Sequence, residues 1–163
     1  MSNNLQKNSF QKFNVVLYQP KIPPNTGNII RLCCNTGATL HLIKPLGFEI
    51  DDKALKRAGL DHYKNVPINV YNSLTECLNI LGDTNVYLIT KFGHTKYCDV
   101  NYKIGDTLIF GSEINGLPKS LLKKTSDKKK LYIPMLKNSR SLNLSNAVSI
   151  CIFEAWKQNE FKI

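Results

Sequence analysis

Between residues 13 and 43 a β-rich apolar run, a helix-length stretch and a second β-rich run follow one another with almost nothing between them. No other feature limits the possible folds as much. Phe13 to Tyr18 reads as one strand and Thr39 to Ile43 as the next. Gln19 to Pro24 holds three prolines and is expected to stay non-helical. Asn25 is then the expected cap of a helix running to about Asn35, with Ile29, Ile30, Leu32 and Cys33 on its apolar side and Gly37 closing it. Strand, helix and strand with such short joins make the parallel crossover of an α/β fold.

The alternation continues down the chain. Asp51-Asp-Lys-Ala-Leu-Lys-Arg-Ala-Gly59 begins with acids and ends with bases before a glycine, which suits a short exposed helix. Ile68 to Tyr71 is a weak edge strand, Ser73 can cap a helix to Leu81, and Asn85 to Thr90 is a strongly apolar strand. A long loop from Lys91 to Tyr102 follows, then a buried strand at Thr107 to Phe110, a short helix from Pro118 to Lys124 and a last strand from Leu131 to Ile133. The expected class is α/β, an open and mostly parallel sheet with helices on both faces.

At 163 residues the chain fits one domain, placed at residues 13–163 behind a polar N-terminal tail at 1–12 that carries only Leu5 and Phe10 as large apolar residues. No apolar run approaches the ~18 residues of a membrane span, and the first residues have no signal-peptide character, so a cytoplasmic protein is expected. Cys33, Cys34, Cys77, Cys98 and Cys151 show no C-x-x-C and no histidine at ligand spacing, which argues against a disulfide framework or zinc site. His41, His62 and His94 are isolated, and no metal site is expected. Lys plus Arg number 22 against 12 Asp plus Glu, a formal charge of +10, and such a field favours a polyanion, most often nucleic acid. A merely solvated basic surface is the alternative.

The final helix, about Leu142 to Asn159, has two apolar stripes. Leu144, Ala147, Val148, Cys151, Ile152 and Ala155 repeat at helical spacing and face the sheet; Ile150, Phe153 and Trp156 form a second row that calls for another partner, a second subunit or another helix.

Three polar loops leave strand ends, where ligands of open α/β sheets bind: Pro23-Pro-Asn-Thr-Gly-Asn-Ile-Ile-Arg31, Phe110-Gly-Ser-Glu-Ile-Asn-Gly-Leu-Pro118 and the stretch from Pro134 to Asn146. The last brings Ser139, Arg140, Ser141 and Asn143 to the mouth of the final helix, where helix capping and ligand binding are both possible uses. Neither G-x-G-x-x-G nor G-x-x-x-x-G-K-[ST] is present, nor a G-x-S-x-G elbow or a Cys/His nucleophile pair. Loops of this composition suit an organic cofactor held largely by backbone groups.

Together with Ile22-Pro-Pro-Asn-Thr-Gly-Asn-Ile-Ile-Arg-Leu-Cys33, Gly47-Phe, Asp51-Asp-Lys, Arg57-Ala-Gly-Leu-Asp61 and Ser139-Arg-Ser-Leu-Asn-Leu-Ser-Asn-Ala-Val-Ser149, these stretches resemble the three motifs of the SPOUT superfamily of RNA methyltransferases, in its TrmH-type branch. The resemblance runs from Phe13 to Gln158 and is to the minimal members, which lack an appended RNA-binding domain. It implies a deep trefoil knot at the C-terminal end, a homodimer, and S-adenosylmethionine held by Ile89, Gly111, Ile133, Ser141 and Leu142. It also implies methylation of the ribose 2′-hydroxyl of the wobble nucleotide, cytidine or modified uridine, in leucine tRNAs. Arg31, Asn25, Glu113, Ser141 and Asn143 match the catalytic motif positions, with Asn28 shaping the loop around Arg31.

A guanidinium does not readily give up a proton and is a poor general base, so Arg31 stays open between accepting the hydroxyl proton and fixing the flanking phosphate. Glu113 stays open between catalysis and accepting loop N–H groups. Lys53, Lys56, Arg57 and Arg140 are the expected RNA-contacting cations, with no DNA partner expected. Asn115 stands where many relatives carry arginine. A same-fold enzyme acting on ribosomal RNA or another tRNA position, and a basic RNA-binding protein without catalysis, are the competing expectations.

Overall fold

The computed structural model describes residues 12–50 and 68–162. In chain order the described elements are β1 (Asn14–Tyr18), α1 (Pro23–Thr36), β2 (Thr39–Ile43), β3 (Ile68–Tyr71), α2 (Leu74–Leu81), β4 (Val86–Ile89), β5 (Thr95–Lys96), β6 (Thr107–Phe110), α3 (Lys119–Lys124), a 3-10 turn (Asp127–Lys129), β7 (Lys130–Tyr132) and α4 (Leu144–Gln158). All strands join one sheet in the order β3-β2-β1-β6-β4-β7-β5, and every pairing is parallel. β3 is an edge strand, as its weaker apolar pattern implies.

Strands buried on both faces need apolar side chains at successive positions, which is why Val15, Val16 and Leu17 in β1 and Leu108, Ile109 and Phe110 in β6 are all sequestered. One face packs Val15, Leu17, Leu40, Leu108 and Phe110 with Ile29, Cys33, Val148 and Ile152 of α1 and α4. The other packs Val16, Leu88 and Ile109 with Leu74, Leu78, Leu121 and Leu122 of α2 and α3. Burying one such aliphatic side chain stabilises the fold by about 1.5–3 kcal/mol, so the two faces are what hold the strand ends in place.

The start of α1 departs from the sequence expectation. The helix begins at Pro23, inside the proline-rich segment, with Ile22 rather than Asn25 at its N-cap. Proline is compatible with a first helical turn because its missing N–H would have had no intrahelical acceptor there. Asn25 thereby becomes a third-position residue on the buried side of the helix. Ser73 does cap α2, its hydroxyl accepting from the Glu76 N–H at 3.1 Å.

β5 lies within the stretch expected to be a loop. Its two residues pair with β7, Thr95 beside Leu131 and Lys96 beside Tyr132. β7 thus sits between β4 and β5, two strands joined only by residues 90–94. That bridge lies hard against β7: a Cβ placed on Gly93 would come within 2.5 Å of the Leu131 carbonyl carbon and 2.8 Å of the Tyr132 nitrogen.

Candidate active site

The sheet order puts three of the expected cofactor residues, Ile89, Gly111 and Ile133, at one edge. Ile89 ends β4 and pairs with Phe110 of β6 on one side and Leu131 of β7 on the other. Gly111 and Ile133 follow at the same carboxyl edge, on strands flanking β4. Gly111 has no room for a side chain: a Cβ there would lie 2.2 Å from the Gly116 carbonyl carbon. The loop it opens is closed by a Ser112–Gly116 bridge and by the Asn115 N–H donating to the Ser112 hydroxyl at 3.1 Å. Residues 134–143 form an exposed approach to α4 that carries Arg140, Ser141 and Leu142, together with the apolar Met135 and Leu136.

The three polar loops meet through hydrogen bonds between side chains far apart in sequence. The Glu113 carboxylate accepts from the Lys21 N–H at 2.8 Å, the Ile22 N–H at 3.1 Å and the Asn25 amide at 3.1 Å. The Asn25 carbonyl in turn accepts from the Asn143 amide at 2.9 Å. Asn143 caps α4, its Oδ1 accepting from the Ser145 N–H at 2.9 Å, the Ser145 hydroxyl at 2.6 Å and the Asn146 N–H at 3.4 Å. Burial alone would raise the Glu113 carboxyl, but the N–H groups of Lys21 and of its own backbone, the Asn25 amide and the Ile22 N–H outweigh it and hold it below the usual carboxylate range. A carboxylate with three donors at the positive end of α1 ties the loop after β6 to the start of that helix.

Of the expected catalytic residues, Asn25, Glu113 and Asn143 are therefore brought into one chain of contacts. Ser141 stands exposed two residues before Asn143. Arg31 belongs to the exposed row of α1 with Pro24 and Asn28, about 120° around the helix from Asn25. Lys53, Lys56, Arg57 and His62 lie outside the described residues. Within the lysine-rich turn, Lys130 pairs with Asp127 at 2.8 Å, while the Lys129 ammonium stands 4.4 Å from the Tyr87 ring centroid and donates to Asn85 at 3.0 Å. Those two lysines are committed to holding the turn. Among the described residues no group of three or more His, Cys, Asp or Glu is placed to hold a metal. Ser145, whose hydroxyl donates to the capping Asn143 Oδ1, is not among the expected site residues; its position two residues after Asn143 in Leu142-Asn-Leu-Ser145 is the local signal for that contact.

Residues 12–153 match the model of the SpoU rRNA Methylase family. A tRNA (cytidine(34)-2'-O)-methyltransferase from Methylovorus glucosotrophus (strain SIP3-4) is 44% identical over 149 residues, which are 91% of this chain and 97% of that protein. A solved structure described in terms of the 2-OH methylation of C/U34 on tRNA superposes with a TM-score of 0.85 at 37% identity, covering 93% of this chain and 99% of that one. An AdoMet-bound rRNA methyltransferase from Sinorhizobium meliloti superposes with a TM-score of 0.76 at 26% identity over 90% of this chain and 56% of that one. With a family match over nearly its whole length and a parallel sheet that gathers the three polar loops at one edge, the chain belongs to the SpoU rRNA methylase family.

Proposed function

We propose that this protein transfers a methyl group from S-adenosylmethionine to the ribose 2′-hydroxyl of the wobble nucleotide in tRNA, with cytidine or modified uridine as target and leucine tRNAs as the substrates. The observation that carries this is the junction of Glu113, Asn25 and Asn143, which ties the loop after β6 to the starts of α1 and α4 at the carboxyl edge of the sheet. The relatives' names supply the nucleotide.

The residues present fit the donor. An apolar strand end at Ile89, the close-packed backbone at Gly111 and the exposed loop from Pro134 to Asn143 suit a ligand with an aromatic base, a ribose and an amino-acid tail. Ile89, Gly111, Ile133, Ser141 and Leu142 would hold it. When bound, the sulfonium supplies an activated methyl group for in-line displacement. The protein's own work is alignment and help with the hydroxyl proton. Glu113 fixes the first turn of α1, Asn25 carries that constraint to Asn143, and Asn143 sets the start of α4 behind Ser141. Arg31, from the exposed row of α1, meets the ribose and its flanking phosphate and polarises the hydroxyl. Arg140, Lys53, Lys56 and Arg57 contact the RNA backbone.

The same reading takes residues 13–163 as one catalytic domain, residues 1–12 as a tail, and the site of action as the cytoplasm. We also infer a homodimer and a knotted C-terminal end. Phe153, 45% exposed on α4, supports the first; the late strand β7 lying between β4 and β5 beneath their short bridge supports the second.

Methyl transfer from labelled S-adenosylmethionine to unmodified tRNA, mapped by nuclease digestion, tests the reading. The wild type should label the wobble ribose. Arg31→Ala should lose at least about 100-fold in rate while still binding the cofactor. Label on ribosomal RNA or at another tRNA position would replace the substrate, and a protein that binds no cofactor would overturn the reading.

A further inference from the structure

The bridge between β4 and β5 presents an aromatic ring to solvent on a backbone that has little freedom to withdraw it. Phe92 is 63% exposed. Its N–H donates to the Thr90 hydroxyl at 3.2 Å, the Gly93 N–H to the Thr90 carbonyl at 3.1 Å, and the His94 N–H to the Lys130 carbonyl at 3.1 Å. Thr90 is itself tied to the Leu131 carbonyl at 2.9 Å, and Gly93 rests against the β7 backbone. A large apolar side chain gains nothing from such exposure in the free protein. The Lys91 ammonium stands over the ring, 5.2 Å from its centroid, so an aromatic surface and a cation are offered together. They follow Ile89 by two and three residues, beyond the strand edge proposed for the cofactor.

We propose that Phe92 and Lys91 form a stacking platform for an unpaired base of the RNA substrate beside the target nucleotide, the ring taking the base and the ammonium the adjoining phosphate. This rests on the RNA-modifying reading above and adds a recognition element that none of the polar motif residues supplies. Proteins that hold single-stranded nucleic acid combine aromatic faces with backbone-tracking cations, and every base has a face to stack. The surrounding charge favours such an occupant: exposed Lys96 follows on the same strand and loop unit, and the chain as a whole carries +10.

The test compares the full-length protein with Phe92→Ala, Phe92→Trp and Lys91→Ala, measuring binding of transcribed tRNA by filter retention and of S-adenosylmethionine by calorimetry. Phe92→Ala should weaken tRNA binding about 5- to 100-fold, with cofactor affinity and thermal melting unchanged. Phe92→Trp should restore binding, and Lys91→Ala should lower the slope of log affinity against log salt by about one. If Phe92→Ala binds tRNA as the wild type does, or if it loses the cofactor instead, the platform is refuted while the enzymatic reading stands. If the wild type transfers no methyl group to any RNA, the enzymatic reading falls and the platform with it.

Discussion

The Glu113 carboxylate joins the loop after β6 to the start of α1. Its oxygens satisfy two backbone N–H groups just ahead of α1, where Pro23 and Pro24 leave no N–H of their own, and orient an asparagine that reaches the other helix. Replacing it with alanine leaves those donors without their acceptor, at a cost of about 1–3 kcal/mol. Glu113→Ala should therefore melt earlier and transfer methyl groups more slowly, both checked on the same preparation. A base lost from the chemistry alone would lower the rate and leave the melting temperature unmoved. Because its folded-state pKa is depressed, Glu113 contributes stability that is fully present above its ordinary carboxylate value and is lost as pH falls from there through the lower folded-state value.

At the scale of elements, a buried polar row crosses β1, β2 and β3. The Asn14 amide donates to the Gly105 carbonyl at 3.1 Å, which turns its carbonyl toward His41 Nε2 at 3.1 Å. Nε2 then carries the proton, and Nδ1 accepts from the Tyr71 hydroxyl at 3.1 Å. Burial pushes His41 down to about 4. Between that value and its ordinary pKa of about 6.5 the unfolded chain binds the proton and the folded sheet does not, so stability is fully present above about 6.5 and declines on acidification. The loss approaches about 3 kcal/mol by the folded pKa. Urea denaturation from pH 7 to 4 should show it, and His41→Phe should flatten that part of the profile.

Elements also mark where local reading of the sequence succeeds. Thr107–Phe110 is recognisable because four buried positions in a row demand it, and Ser73 because its hydroxyl acts three residues away. β5 carries no pattern of its own; its two residues are strand only because β7 lies alongside. Asn25 looks like a cap locally, yet its partners are Glu113 and Asn143, 88 and 118 residues distant. The motif picks out these candidate residues, but only the folded sheet reveals which of them touch.

Across the whole molecule, α4 carries both sheet packing and the surface expected to meet a second copy. The row of Ile150, Phe153 and Trp156 is only partly open, because the chain after α4 folds back on it. Phe161 meets Trp156 edge to face with ring centroids 5.3 Å apart, and the indole N–H donates to the Lys162 carbonyl at 3.1 Å. Phe153 remains the exposed member, 5.9 Å from Trp156 between centroids. Phe153→Lys should shift the protein toward monomer in light scattering at micromolar concentration, with its melting temperature within a few degrees of wild type because the replaced ring lies outside the core. A wild-type protein already monomeric there would remove the homodimer from the proposal.

The place of β7 between two strands tied by five residues also has a mechanical meaning. A strand at the edge of a sheet can be peeled away one hydrogen bond at a time. β7 is flanked on both sides, with Gly93 resting on its backbone. Freeing it means breaking both ladders at once, so Lys130–Tyr132, the strand that leads into the candidate active-site loop, is clamped where an edge strand would be free to leave.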